Sequence, residues 1–407
     1  MTNIGDGLPG SDVLVETTSK SWLGRIVGGV GAIFFGLILV IAAAALMFWN
    51  EGRAARTAAA LSEGAGLVVA VAPDSIDAAN EGRLVHVAGE TSAGAPARDP
   101  DFGLDANGLR LDRKVEMYQW KLESHGETQK KVGGGEETVT RYTYSREWSD
   151  HAIGSAGFRD SAGHRNPAMP SLTSHEFFAR GAKLGAFAIG ADVLRLLDPT
   201  DSFAPPEAAL DQARAALGER ARVSEGGVFA GADPAQPAIG DVRVTWQALP
   251  LAPISVVARQ TQSSLSPYLA SNGRALLLAE PGVVDAALMF KHGEDENRLL
   301  TWILRGVGAL AMFVGFRLML SLFETLADVV PLIGAIVGAG ASLAALLCTF
   351  ILAPIIVAIA WVFYRPLVAV GALVIGAALA YGVRALVRSR AAQRRRPAGA
   401  ARAGGAA

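Results

Sequence analysis

The sequence predicts a multipass α-helical membrane protein, with four spans in a one-plus-three arrangement and a large α+β extracytoplasmic domain. Three observations carry this. Ile26–Trp49, IVGGVGAIFFGLILVIAAAALMFW, is 24 residues without a charge. A second apolar block follows Glu294-Asp295-Glu296-Asn297-Arg298 and runs to Val383, interrupted by Arg305, Arg317, Glu324, Asp328 and Arg365. Between them, residues 50–298 are rich in strand and turn signals. The chain has 407 residues, 51% hydrophobic and 18% charged, which excludes a disordered protein and allows several structural units.

In chain order, the first element is a polar arm, residues 1–25. The run 26–49 that follows is long enough to cross a hydrocarbon core of about 30 Å at about 1.5 Å per residue. It reads as a retained anchor rather than a signal peptide: its apolar core exceeds the usual length, and no small-residue cleavage site precedes Asn50-Glu51-Gly52-Arg53. Residues 50–298 form the outer domain. Lys114–Glu123 and Glu137–Trp148 predict a hairpin whose loop contains Gly133-Gly134-Gly135. Tyr118 and Trp120 share one face, and Tyr142, Tyr144 and Trp148 share one face of the partner strand; these five are the candidate interaction surface. A second strand pair is predicted at 241–249 and 254–259. Residues 205–217 carry proline at the start and Gly218 at the stop of a helix, and Val283–Lys291 predicts a short helix toward the membrane. Strands and helices without strict alternation give an α+β class.

The second block divides into spans at 301–323, 332–364 and 366–383. The middle one is longer than a crossing needs, which predicts an interfacial, re-entrant or tilted start. In WVFYRPL, Trp361, Phe363 and Tyr364 supply an aromatic belt, Arg365 a headgroup contact, and Pro366 disfavours helix at the residue before it and opens the next helix. A tight turn at the outer face follows. The tail, residues 384–407, carries seven arginines and no acid, so it stays cytoplasmic; with four spans the arm, with Lys20 and Arg25, lies on the same side. Beside a span, such a tail holds topology and touches anionic lipid; no nucleic acid is implied. The single Cys348 lies in a predicted span, so the domain rests on an ordinary core.

The search for chemistry yields no catalytic residue, cofactor site or metal site. His86, His125, His151, His164, His175 and His292 show no ligand spacing. The glycines at Gly24, Gly28 and Gly29 and at Gly334 to Gly340 read as close helix packing, not phosphate loops. The repeated Asn-Glu-Gly-Arg at 50–53 and 80–83 reads as turn chemistry with glycine at positive φ. The charges within the apolar block remain. Arg305 and Arg317 are placed to snorkel, Glu324 and Asp328 sit at the cytoplasmic interface, and with Arg365 and Pro366 they form the topology and bundle candidates. An alternative aligns Arg305, Arg317, Glu324 and Arg365 along an ion path, as in a channel or transporter component.

NEGR at 50–53, NEGRLV at 80–85, VEMYQW at 115–120, TWILRGVG at 301–308 and WVFYRPL at 361–367, in this order and with this span layout, resemble the LUMA or transmembrane protein 43 family over residues 20 to 386. The resemblance implies a multipass protein with a large domain outside the cytosol, no enzymatic activity and no cofactor. Such proteins oligomerise and organise membrane complexes; eukaryotic members face the endoplasmic reticulum lumen or perinuclear space and associate with lamins and emerin. The Ala- and Arg-rich composition suits a bacterial member in the inner membrane with residues 50–298 periplasmic, where lamins do not apply. The expected function is a non-enzymatic scaffold, with membrane lipid, other membrane proteins and further copies of itself as partners.

Overall fold

A computed structural model describes residues 2–4, 12–224 and 226–394. Its principal elements are β1 (Val13–Lys20), α1 (Trp22–Leu67), β2 (Leu84–Gly89), β3 (Gly108–Lys130), β4 (Glu136–Ser149), α2 (Leu210–Leu217), β5 (Gly227–Ala230), β6 (Val242–Pro250), β7 (Ile254–Thr261), α3 (Ala286–Ala327), α4 (Pro331–Tyr364) and α5 (Pro366–Arg394).

Helix α1 begins at Ser21, whose hydroxyl oxygen accepts from the Gly24 amide at 3.3 Å. It does not stop at the end of the apolar run. Glu, Arg and Ala are good helix formers, so Asn50–Arg53 continues the helix instead of turning. The predicted short helix near 283–291 is likewise the opening of α3, which runs unbroken through residues 298–301. The break between α4 and α5 falls at Arg365, ahead of Pro366, and the Arg365 amide donates to the Trp361 carbonyl at 2.8 Å. Three helices, α1, α3 and α4, are long and apolar enough to cross a membrane; α5 holds a shorter apolar stretch, Val374–Ala385. Phe34, Phe35, Ile38, Leu310 and Phe350 are exposed on their outer faces. The arginine-rich end continues α5 as far as Arg394; Arg395, Arg396 and Arg402 lie outside the described residues.

Small residues let α1 and α3 approach: of the predicted glycines Gly29 does so, a Cβ there standing 3.0 Å from Leu322 Cδ1, and Gly36 and Gly315 bring the two helices closer still. A Cβ on Gly36 would stand 2.9 Å from Met319 Cγ and one on Gly315 2.8 Å from the Gly36 carbonyl, whereas one on Gly28 meets nothing.

Among the described residues the domain holds two large sheets. The nine-stranded one has the central order β1, β4, β3, β6, β5; the eight-stranded one is built around β2 and β7. In β6 the side chains alternate, Val242, Val244 and Trp246 pointing into a core with Phe102, Leu111 and Val115. In β7 both faces are buried. Val256 joins one core with Val85 and Phe187, and Val257 packs on Leu61, Met289 and Phe290 of α1 and α3. The helices thus cover one face of the second sheet.

Strands β3 and β4 extend beyond both cores as a polar ribbon, paired from Met117↔Ser149 to Lys130↔Glu136. The predicted hairpin is correct in position and short in length. From Tyr118 to Lys130 the ribbon covers about 40 Å at about 3.3 Å per residue; α1 from Arg25 to Asn50 covers about 38 Å. The ribbon tip meets the far end of α1 and α3, so ribbon and apolar helices run between the same two ends. Strand β1 completes the ribbon on β4, from Val13↔Thr143 to Lys20↔Glu136. Residues 13–20, assigned from sequence to the arm, thus share a sheet with residues 136–143, assigned to the domain.

Candidate functional site: polar clusters at the two ends of the helices

At the domain end of the helices, consecutive residues of α1 point to different neighbours. Glu51, 1% exposed, lies at the centre. Arg305 of α3 donates to it twice, Nε to Oε1 at 2.6 Å and Nη2 to Oε2 at 2.9 Å, and Trp361 of α4 donates Nε1 to Oε2 at 2.9 Å. A bidentate guanidinium and an indole satisfy a carboxylate that would otherwise be costly to bury. Gly52 makes room for the Tyr364 ring; a Cβ there would stand 2.6 Å from Tyr364 Cζ. Asn50 and Arg53, one turn apart, face α3. Arg53 donates Nη1 to Asn297 Oδ1 at 3.0 Å and Nη2 to Thr301 Oγ1 at 3.0 Å and Asn50 Oδ1 at 3.2 Å. Three helices are therefore pinned where the membrane segments join the domain.

The far end is pinned differently. Asp328, fully buried between α3 and α4, accepts from Arg25 at 2.5 Å and from Lys130 of the ribbon at 2.9 Å. Lys130 also donates to Glu324 at 2.6 Å, and Arg317 pairs with Glu324. Arg25 pairs with Glu136 at 3.0 Å and donates to the Gly134 carbonyl at 2.7 Å, and Trp22 Nε1 donates to the Thr325 carbonyl at 2.9 Å. Burial raises the Asp328 pKa, but hydrogen bonds from Lys130 and Arg25 and their charges outweigh it and hold it below the usual carboxylate value. Burial opposes the charge on Lys130 too, yet Glu324 and Asp328 lift its pKa above the ordinary lysine value. Gly334 and Gly338 of α4 face these carboxylates: a Cβ on Gly334 would overlap Asp328 Oδ1, and one on Gly338 would stand 2.7 Å from Glu324 Cδ. These glycines accommodate charge as much as helix packing.

The structure thus separates the charges singled out from sequence. Arg305 is paired with Glu51 and lies with Arg365 and Pro366 at the domain end; Arg317, Glu324 and Asp328 lie at the other. An apolar cavity of 830 Å³ lies between α3 and α4, lined by Trp302, Arg305, Phe313, Phe350, Pro354 and Trp361 among others. The aromatic candidates of the hairpin are mostly covered. Tyr144 is buried, stacked on His164 at 3.7 Å, with Trp120 edge-on to the same imidazole and Asp160 donating its amide to the Tyr144 hydroxyl. Tyr118 packs on Trp148, and Arg243 and Arg159 cover Trp148 and Tyr142. His125 stands on the ribbon, about 20 Å at the rise of a strand from Gln119, whose Nε2 donates to the His151 carbonyl at 2.9 Å. Among the described residues no three His, Cys, Asp or Glu are grouped to hold a metal.

Sequence reasoning missed Glu51, Arg53, Asn297, Thr301, Arg25 and Lys130 as members of these clusters. One signal was readable: an acid directly after the apolar run, and Arg305 one turn inside the next, are opposite charges at one depth.

Long apolar helices carrying a large sheet-rich domain, with polar contacts joining the two, define an integral membrane protein of mixed architecture. A family model described as Transmembrane protein 43 matches residues 117–366. Transmembrane protein 43 of Mus musculus is 34% identical over 370 residues, covering 87% of this chain and 90% of the relative. The Homo sapiens protein is 33% identical with the same coverage, and the Drosophila melanogaster homolog is 29% identical over 84% of this chain and 91% of its own. The chain belongs to the transmembrane protein 43 family. No solved structure matches it.

Proposed function

We propose that the protein is a non-enzymatic membrane scaffold that oligomerises and organises membrane protein complexes or lipid, with α5 as a fourth span. Its composition supports placement in a bacterial inner membrane with the body of residues 50–298 periplasmic. The polar ribbon is the observation that carries the reading. Along the outer part of the ribbon Glu123, Ser124, His125, Glu127, Thr128, Gln129 and Arg141 are exposed, the ribbon as a whole runs about as far as the apolar helices, and beyond Trp120 the outer edge of β3 pairs with no strand among the described residues. Hydrocarbon tolerates neither an open strand edge nor such side chains; irregular or polar backbone at membrane depth persists only against protein or water. Neighbouring protein covering the ribbon meets this demand, and a second copy presents the same ribbon. Both ends of the ribbon are fixed to the helices, which supports a rigid platform rather than a moving gate.

The test places a cysteine at Thr128 in a Cys348→Ala background and applies a short thiol crosslinker in native membranes. Crosslinked oligomers, or a crosslinked membrane partner identified by mass spectrometry, are expected. A protein that stays monomeric there and in mild detergent, with Thr128→Cys uncrosslinked, overturns the reading.

A further inference from the structure

One cluster at the domain end carries more positive charge than its neighbours neutralise. Arg53 is 8% exposed, yet its side-chain hydrogen-bond partners are the neutral Asn50, Asn297 and Thr301. One turn further along α1, Arg56 is exposed, its guanidinium 5.8 Å from the Tyr364 ring centre. Arg274 is brought beside it by the turn between the short strands Tyr268–Leu269 and Ala275–Leu276. Two anchors clamp that turn to α1. The Ser271 amide donates to both Glu63 oxygens at 3.0 Å, and Asn272 Nδ2 donates to the Arg56 carbonyl at 2.7 Å. Asn272 Oδ1 then accepts from the Arg274 amide at 3.0 Å, and Gly273 takes φ +78°, a conformation that suits glycine.

The result is a cavity of 440 Å³ lined by Arg56, Asn272, Gly273, Arg274 and Ala275. The nearby carboxylates are engaged elsewhere, Glu51 by Arg305 and Trp361 and Glu63 by the turn itself. Among the described residues none of Arg53, Arg56 and Arg274 is in an ion pair. The depth is also defined. Arg56 lies about 10 Å beyond Trp49, the last apolar residue of the run, at about 1.5 Å per residue, which is the level of headgroups rather than acyl chains. A buried cation without a counter-charge and two exposed guanidinia beside it favour a phosphate, which arginine holds with paired donors.

We infer that Arg56 and Arg274, backed by the buried Arg53, form a binding site for the phosphate of an anionic phospholipid headgroup. Arg56 and Arg274 grip the phosphate oxygens, the Asn272 turn sets their spacing, and the Tyr364 ring lies beside the Arg56 guanidinium. The lipid thereby ties the domain to the bilayer surface at the point where α1, α3 and α4 are already pinned. The inference rests on the membrane placement proposed above but not on the oligomer, so loss of Thr128→Cys crosslinking and loss of lipid binding are separate outcomes.

The experiment reconstitutes the full chain in nanodiscs of phosphatidylcholine with phosphatidylglycerol and measures retained lipid by native mass spectrometry. Wild type should retain phosphatidylglycerol selectively, and Arg56→Gln with Arg274→Gln should weaken that retention about tenfold with an unchanged melting temperature. An Arg384→Gln, Arg388→Gln variant controls for general attraction to the basic tail. Retention unaffected by the Arg56 and Arg274 changes, or lost equally in the tail variant, overturns the site. If inorganic phosphate raises the melting temperature as much as the lipid does, the ligand is a soluble phosphate and the lipid assignment fails.

Discussion

Glu51→Gln is the sharpest perturbation of the joint between domain and helices. The change keeps side-chain size and removes the charge that Arg305 and Trp361 address. Arg305 then keeps its charge in a site where its side chain is 19% exposed. Breaking a buried pair by removing one partner costs about 3–5 kcal/mol, and the residual exposure of Arg305 puts this case near the lower end, about 3 kcal/mol. For domains of a few hundred residues each kcal/mol moves the melting temperature by about 2–4 °C, so a fall of about 6–12 °C is expected. The readout is the folded fraction surviving a temperature series, measured by size-exclusion fluorescence in mild detergent. Adding Arg305→Gln should restore part of the loss, because the double variant no longer buries an unpaired charge; a coupling above about 1 kcal/mol is expected for residues in direct contact. A shift under about 2 °C, or strict additivity of the two changes, refutes the argument.

Gly52→Ala places a methyl against the Tyr364 ring and should cost about 1–2 kcal/mol through overpacking despite alanine's better helix propensity; Gly28→Ala, which meets nothing, should leave the same thermal assay unchanged or improved. Cysteines at Thr17 and Val139, directly opposite in the ladder, should form a disulfide in native membranes if β1 and β4 pair there; no disulfide under oxidant would mean that arm and hairpin lie apart, as the charge rule alone predicts. Stability from Asp328, whose folded pKa is lowered, is present above the unfolded value of about 4 and is lost as pH falls through the folded one. Lys130 has the opposite sign: its contribution is present below about 10.4 and is lost as pH rises through the raised folded value. Wild type minus Asp328→Asn, measured as melting temperature against pH, should therefore be greatest between about pH 5 and 10 and shrink at both extremes; a difference that does not change with pH removes the electrostatic account.

Much of the architecture was legible because apolar runs and strand periodicity are local properties. The first run, the break at Pro366, the hairpin and the strands near 242–250 and 254–261 all fall close to their predicted places. Boundaries failed where composition changes but backbone does not. Asn50–Arg53 looked like a turn because Gly usually marks one, yet it sits inside α1, where a missing Cβ serves the Tyr364 ring rather than a positive φ. Its echo does behave as predicted: Gly82 has φ +76°. The aromatic stripe of the hairpin was visible, but not the loop of residues 150–167 that brings His164 onto Tyr144 and Trp120.

By itself the sequence determined membrane residence, family and the residue types at each break, since hydropathy and motif order require no knowledge of contacts. Only the tertiary structure decided which charges meet. Glu51 and Arg305 are separated by 254 positions, Arg25 and Asp328 by 303. Their pairing depends on the crossing of α1 and α3, set by Gly36 and Gly315, and on a ribbon as long as the helices it accompanies. An arginine in an apolar run is costly alone and stable when a carboxylate from another helix reaches the same depth. That depth is a property of packed helices, and a linear sequence does not state it.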